Sequence, residues 1–263
     1  MKGVIHMPID FHDEKHRRSY ATRTADDSWK HMMRQIIDPR GLRVADIGCG
    51  GGIYSRAWVD LGADQVIGVD SSKVMVDAAR EQSARMSNVY FVVGDAVKTG
   101  LNGASVDLVF ERALIHHLKD LVPAMTEAYR VLAPSGRVII QDRTPADVAL
   151  PGSEEHIRGY IFERFPRLLA IEQGRRWPGE EVRKAMEAAG FQNIAEYTFW
   201  ETRRVYPDIS ELAEDLRNRT GRSILHDLSD AELDDLIRYI GSKVPHDKEI
   251  VERDRWTLWI GER

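Results

Sequence analysis

The chain has 263 residues, 43% hydrophobic and 30% charged, with 37 basic against 42 acidic side chains for a formal charge of −5. This is the composition of a folded globular chain with a sizeable core, not of a disordered or fibrous one. The acidic balance speaks against a broad nucleic-acid-binding face. The single cysteine, Cys49, excludes an intramolecular disulfide and a cysteine-rich zinc site. No run is apolar enough to span a bilayer, and His6 and Pro8 interrupt the N-terminal stretch before a secretory core forms, so the location expected is cytoplasmic.

Residues 1–40 read as a polar, partly helical arm, with Tyr20, Trp29, Met32, Met33, Ile36 and Ile37 as an apolar stripe ending near Pro39. The pattern then changes. Short β-rich runs occupy Arg43–Ile47, Gln65–Val69, Val89–Val93, Val106–Phe110 and Arg137–Gln141, separated by helix-period stretches at 53–61, 73–86 and 119–132. Gly62 and Pro134-Ser135-Gly136 supply the stops. Alternating Val- and Ile-rich strands with helices favours a parallel sheet covered on both faces, a doubly wound α/β fold.

Beyond Thr144 the rhythm breaks. Residues 145–177 read as a helical cap insertion, 178–208 as a continuation of the core with a strand at Ile194–Thr202, and 209–250 as a second helical insertion. Residues 251–263 carry the last core strand, so that the core spans 41–144 together with these later pieces and holds seven strands, mostly parallel. Ligands in such sheets sit beyond the carboxyl ends of the strands.

The first strand runs Val44-Ala45-Asp46-Ile47 directly into Gly48-Cys49-Gly50-Gly51-Gly52. Glycines admit positive φ and let a ligand meet the backbone, and the helix that follows turns its N–H groups toward it. A dinucleotide fingerprint needs a third glycine where Ile53 stands, which counts against NAD or FAD. Asp70, 22 residues after Gly48 at the end of the second strand, can accept both hydroxyls of a ribose in either kind of cofactor. Cys49 has no neighbouring base or second cysteine and reads as a small buried residue.

Asp46, Gly48, Gly50 and Gly52 together resemble motif I of the class I S-adenosylmethionine-dependent methyltransferases. Val106–Leu118 and Tyr129–Arg137 are similar to later motifs of the small-molecule members, including the ubiquinone/menaquinone-biosynthesis type, and the resemblance covers residues 43–142. It implies a Rossmann-like core and S-adenosylmethionine as cofactor, held by Asp46, Gly48, Gly50, Asp70 and Ser71, with Glu111 at the end of the fourth strand. It further implies Asp95 against the adenine amino group, the Ala96 amide against the ring, and Tyr20 and Arg23 as a lid whose arginine pairs with the methionyl carboxylate.

The function expected is methyl transfer to a small-molecule acceptor by in-line displacement. His116 and His117 lack metal-ligand spacing, so no metal is expected, and they read as pocket lining or a general base. Arg143, Trp177, Trp200, Arg203 and Tyr206 join His117 as candidates to line the acceptor pocket, with solvated surface and core as the alternatives. The competing readings are an NAD-dependent oxidoreductase and an adenosyl-cofactor-binding protein without turnover. An RNA or protein methyltransferase is disfavoured by the charge and by the lack of a recognition extension, and an exocyclic-amine nucleic-acid methylase by the absence of an Asn-Pro-Pro-Tyr or Asp-Pro-Pro-Tyr run. The partners expected are the acceptor alone, with neither nucleic acid nor membrane, in a monomer or homodimer.

Overall fold

The structure, a computed structural model, describes residues 24–263; Tyr20 and Arg23 lie outside the described residues. The arm enters as α1 (Asp27–Ile36), capped by Asp26, whose carboxylate accepts from the Ser28 amide at 2.8 Å. Its inward face is fixed by Trp29. That indole stands edge-on to Tyr54, Trp58 and Phe110 and donates Nε1–H to Gln141 at 3.0 Å.

The sheet contains β1 (Arg43–Ile47), β2 (Gln65–Asp70), β3 (Val89–Val93), β4 (Val106–Arg112), β5 (Leu132–Asp142), β6 (Gln192–Tyr206) and β7 (Ile250–Glu262) in the order β3-β2-β1-β4-β5-β7-β6. The first five strands pair in parallel and β7 runs antiparallel to β5. Helices α2 (Ile53–Asp60), α3 (Lys73–Gln82) and α4 (Val122–Val131) make the crossovers. The fold is thus the Rossmann-like, mostly parallel seven-stranded architecture expected.

Two boundaries differ from the sequence reading for identifiable reasons. Helix α4 starts at Val122 rather than near 119 because Pro123 is tolerated in the first helical turn but not further into a helix. Strand β5 begins at Leu132 rather than 137 because Leu132 pairs with Val106 of β4 and the backbone of Ser135 and Gly136 bonds to that of Arg263.

The described chain divides into two compact units. The sheet unit comprises residues 24–142, Trp177–Thr198 and Thr257–Arg263, and includes α8 (Gly179–Ala189). Its core joins Ala45, Ile47, Val109, Met125, Ile140, Met186 and Trp259. The helical unit comprises Arg143–Arg176 and Phe199–Trp256, with α5 (Pro145–Val148), α6 (Ile157–Arg164), α7 (Pro166–Arg175), α9 (Ile209–Arg217) and α10 (Asp230–Gly241). Its core is built from Ile161, Leu168, Leu212, Leu216, Leu236 and Ile240. The chain passes between the units inside β6 and again inside β7.

Within the helical unit lies a buried polar network. Arg222, fully buried, donates to Asp215 at 2.6 Å and to Glu252 at 2.5 Å, and Arg203 donates to the same two carboxylates at 3.0 and 2.9 Å. The Tyr206 hydroxyl stands 2.8 Å from an oxygen of each acid. Burial pushes both carboxyls up, but Arg222 and Arg203 outweigh it and hold them below the usual carboxylate range.

Removing one member of such a network leaves a charge buried without its partner, so Arg222→Ala should cost about 3–5 kcal/mol of stability in chemical denaturation. Because the two acids titrate lower in the folded chain than in the unfolded one, their contribution is complete above about pH 4–5 and is lost as the pH falls below that. Acid unfolding followed by circular dichroism should show a stability loss over this window that is smaller in the Arg222→Ala chain.

Candidate functional site

At the carboxyl end of β1 the backbone turns sharply over Gly48, at φ +76°, and again at Gly50, at φ +50°. The amides of Gly48 and Cys49 both donate to the Val69 carbonyl of β2, at 2.7 and 3.1 Å. A Cβ on Gly48 would meet Leu114 at 2.9 Å, whereas one on Gly50 would meet nothing within 4 Å. The first glycine is therefore needed for packing as well as for its dihedral, and the second leaves open space beside the backbone for a ligand.

Asp70 ties this turn to the neighbouring crossover. One carboxylate oxygen accepts from the Gly50 amide at 2.8 Å and the other from the Ser72 amide at 2.9 Å, where Ser72 caps α3. Asp46, buried one residue before the end of β1, accepts from the Ser55 hydroxyl of α2 at 2.5 Å. Burial raises its carboxyl to about 7; the Ser55 bond and Arg112 oppose that rise and the charge of Asp70 adds to it. The Cys49 thiol is pushed up well above its ordinary value, chiefly by burial, which keeps it protonated.

The end of β4 supplies the other wall. Arg112 stacks on the Tyr54 ring at 4.1 Å, and Ala113 follows in the left-handed region at φ +51°, held by its amide's bond to the Gln141 carbonyl at 2.9 Å. This reversal starts the 3-10 turn Ile115–His117. There the His116 amide and Nδ1 both meet Asp142 Oδ2, at 3.3 and 2.9 Å, and the two histidine rings stand 4.0 Å apart. Glu111, just before, is fully buried, and neither of its oxygens has a hydrogen-bond partner among the described residues.

Asp46, Gly48, Gly50, Asp70, Glu111, His116 and His117 thus lie together along the carboxyl edge of the sheet unit. Ser71 is exposed beside Asp70, and Ala96 is buried. Asp95 is exposed and its carboxylate accepts from the Val97 amide at 3.0 Å, so its side chain is engaged in a local turn. Trp177 donates Nε1–H to the Ile115 carbonyl at 3.0 Å, within the same unit.

The remaining acceptor-pocket candidates belong to the helical unit. Arg143 is buried against Asp254 at 2.9 Å and stacks on Trp256 at 4.2 Å, and Trp200 is 39% exposed and stands edge-on to His156. Arg203 and Tyr206 are committed to the Arg222 network. Asp142, Ser55 and Ser72 escaped the sequence reading; an acid closing a strand at the sheet's ligand edge was the available signal for Asp142.

These residues fit an adenosyl cofactor: open space at Gly50, a carboxylate at the end of β2 where ribose hydroxyls can be received, and an orphaned buried acid at the end of β4. Asp70→Ala should weaken S-adenosylhomocysteine binding by about 1–3 kcal/mol in a calorimetric titration. Unchanged affinity would remove Asp70 from the site.

Residues 45–140 match the model of a methyltransferase domain family. The chain is similar to an uncharacterized 37.1 kDa protein in transposon TN4556 of Streptomyces fradiae, 34% identical over 123 residues, 46% of this chain and 36% of that one. It is 28% identical over 187 residues to demethylmenaquinone methyltransferase of Staphylococcus aureus, covering 65% of this chain and 76% of that protein. Among solved structures it resembles Haemonchus contortus phosphoethanolamine N-methyltransferase 2 in complex with phosphomonomethylethanolamine and S-adenosylhomocysteine. The TM-score is 0.61 at 22% identity, over 97% of this chain and 61% of that one. The chain spans about a third of the transposon protein's length and three fifths of the Haemonchus chain. The glycine turn, the strand order and these likenesses converge on residues 45–140, which form a methyltransferase domain of the class I, S-adenosylmethionine-dependent kind.

Proposed function

We propose that this protein methylates a small-molecule acceptor and that the His116–Asp142 pair receives the proton the acceptor gives up. The 2.9 Å contact between His116 Nδ1 and Asp142 carries the reading. With the carboxylate accepting from Nδ1–H, the other ring nitrogen keeps its lone pair and can act as a base, in the manner of an acid-oriented histidine. Bound S-adenosylmethionine supplies an electrophilic methyl group on a sulfonium, open to in-line displacement by an acceptor lone pair.

The chain's own share is positional. The glycine turn and Asp70 hold the cofactor, and the strained turn at Ala113 aims His116 from the edge of β4. A hydroxyl, thiol or ammonium acceptor needs one proton removed, which His116 takes; an acceptor with a free lone pair needs orientation alone. Acceptor size is supported by the relatives, one named for demethylmenaquinone and one bound to phosphomonomethylethanolamine, and by the acidic charge of the chain. No helix among the described residues is long and apolar enough to cross a membrane. A cytoplasmic monomer or homodimer completes the proposal.

The test is incubation with methyl-labelled S-adenosylmethionine and a panel of amines, phenols, quinols, thiols and carboxylates, read as S-adenosylhomocysteine formed and mass gained by the acceptor. Turnover on a small acceptor is expected; transfer only to RNA or protein, or binding with no transfer, would overturn the reading. With that acceptor, His116→Gln should lower kcat by about 10²–10⁴-fold. Asp142→Asn should act in the same direction, and both variants should keep their S-adenosylhomocysteine affinity. A His116→Gln enzyme of normal kcat would end the base assignment.

A further inference from the structure

The carboxyl edge of the sheet holds four acids. Asp46, one residue before the end of β1, and Asp70 and Asp142, closing β2 and β5, each accept hydrogen bonds from described residues. Glu111, one residue before the end of β4, is fully buried and meets no donor with either oxygen among the described residues. Its register neighbours are Ile47 of β1 and Ile140 of β5, both in the apolar core. By strand alternation it shares a face with Val109, which packs in the core formed with Leu121, Ala124 and Met125.

Among the described residues, no charge on the adjoining elements answers it. Arg112 lies on the opposite face over Tyr54, and Asp46 is bonded to Ser55 there. Asp142 and His116 bond to each other, with the His117 ring beside His116. On α4, Glu127 and Arg130 form their own pair. Burial alone raises the Glu111 carboxyl to about 8. A carboxylate in such a place is too costly to be charged without a partner, so the empty protein holds a neutral acid.

The strand order bears on which part of a bound cofactor would come nearest to this acid. Reading the cofactor as lying across the strand ends, its adenosine falls toward β2 and β3, and β4 flanks β1 on the other side. On that reading the sulfur end of the cofactor would fall beside β4. Gly48, where a Cβ would strike Leu114, shows how closely the β1 and β4 ends approach.

Resting on that reading of the cofactor site, we propose that Glu111 is a proton-linked receptor for the sulfonium charge: it is neutral in the empty site and becomes ionised when S-adenosylmethionine binds. On binding, the Glu111 O–H bond breaks and the proton passes to solvent. Once the methyl group has left, the thioether carries no charge, Glu111 takes a proton back from solvent, and its hold on the product is lost. The acid thereby distinguishes donor from product by one charge.

The experiment is titration calorimetry of the full chain with S-adenosylmethionine and with S-adenosylhomocysteine at pH 7, each in phosphate and in Tris, whose different ionisation heats report the protons released. The donor should release close to one proton more than the product, and the difference should fade by about pH 9, above the raised Glu111 value of about 8. Asp46, held near 7, is bonded to Ser55 on the opposite face, and any proton it releases remains in the Glu111→Gln chain. In Glu111→Gln the difference should vanish, with donor affinity down about tenfold and product affinity unchanged.

Equal proton release for the two ligands in the unaltered protein would overturn the proposal, and that comparison needs no variant. A difference that persists in Glu111→Gln would overturn it as well. Binding of neither ligand would remove the cofactor reading and the proposal together, whereas binding without a difference would remove the proposal alone.

Discussion

The backbone amides of Gly48 and Cys49 converge on the single carbonyl of Val69. Those two bonds join the end of β1 to the end of β2 at the place where the chain must reverse, and they oblige Gly48 to take a positive φ. Once the turn is fixed, the Gly50 amide faces Asp70 and Leu114 closes over the missing Cβ of Gly48. Every carboxylate of the site then has its place relative to one point of main chain.

The other edge of the site depends on a side chain far away in sequence. The left-handed turn at Ala113 is held by the Gln141 carbonyl, and the side chain of the same glutamine accepts from Trp29 of α1. Trp29 is in turn held among Tyr54, Trp58 and Phe110. The N-terminal helix therefore braces the strand end from which His116 projects, and a non-glycine residue keeps an unfavourable conformation because its surroundings determine it.

The sheet was legible because its information is local: Val- and Ile-rich runs with glycine stops, and a glycine turn whose spacing admits few readings. Asp46 and Asp70 could be placed on the sheet because each sits within two residues of a recognisable strand end. The His116 partnership was hidden, because Asp142 lies 26 residues downstream and nothing in either segment names the other. Arg203 and Tyr206 have the composition of a ligand-gripping pair, but Asp215, Arg222 and Glu252, gathered from three other segments, engage them inside the helical unit. Sequence spacing carries no signal for such a network. Tyr20 and Arg23 fall outside the described residues.

The position of β7 bears on how the chain is made. It lies between β5 and β6 in the sheet, yet the residues that pair with β5, Thr257–Glu262, follow the whole helical insertion in sequence. During synthesis β5 therefore presents an unpaired edge, flanked by the Val138, Ile139 and Ile140 run, until residue 262 has emerged. This nascent intermediate is open to strand addition from a neighbouring chain. The two helical segments, with α8 and β6 between them, thus set how long that edge waits for its partner.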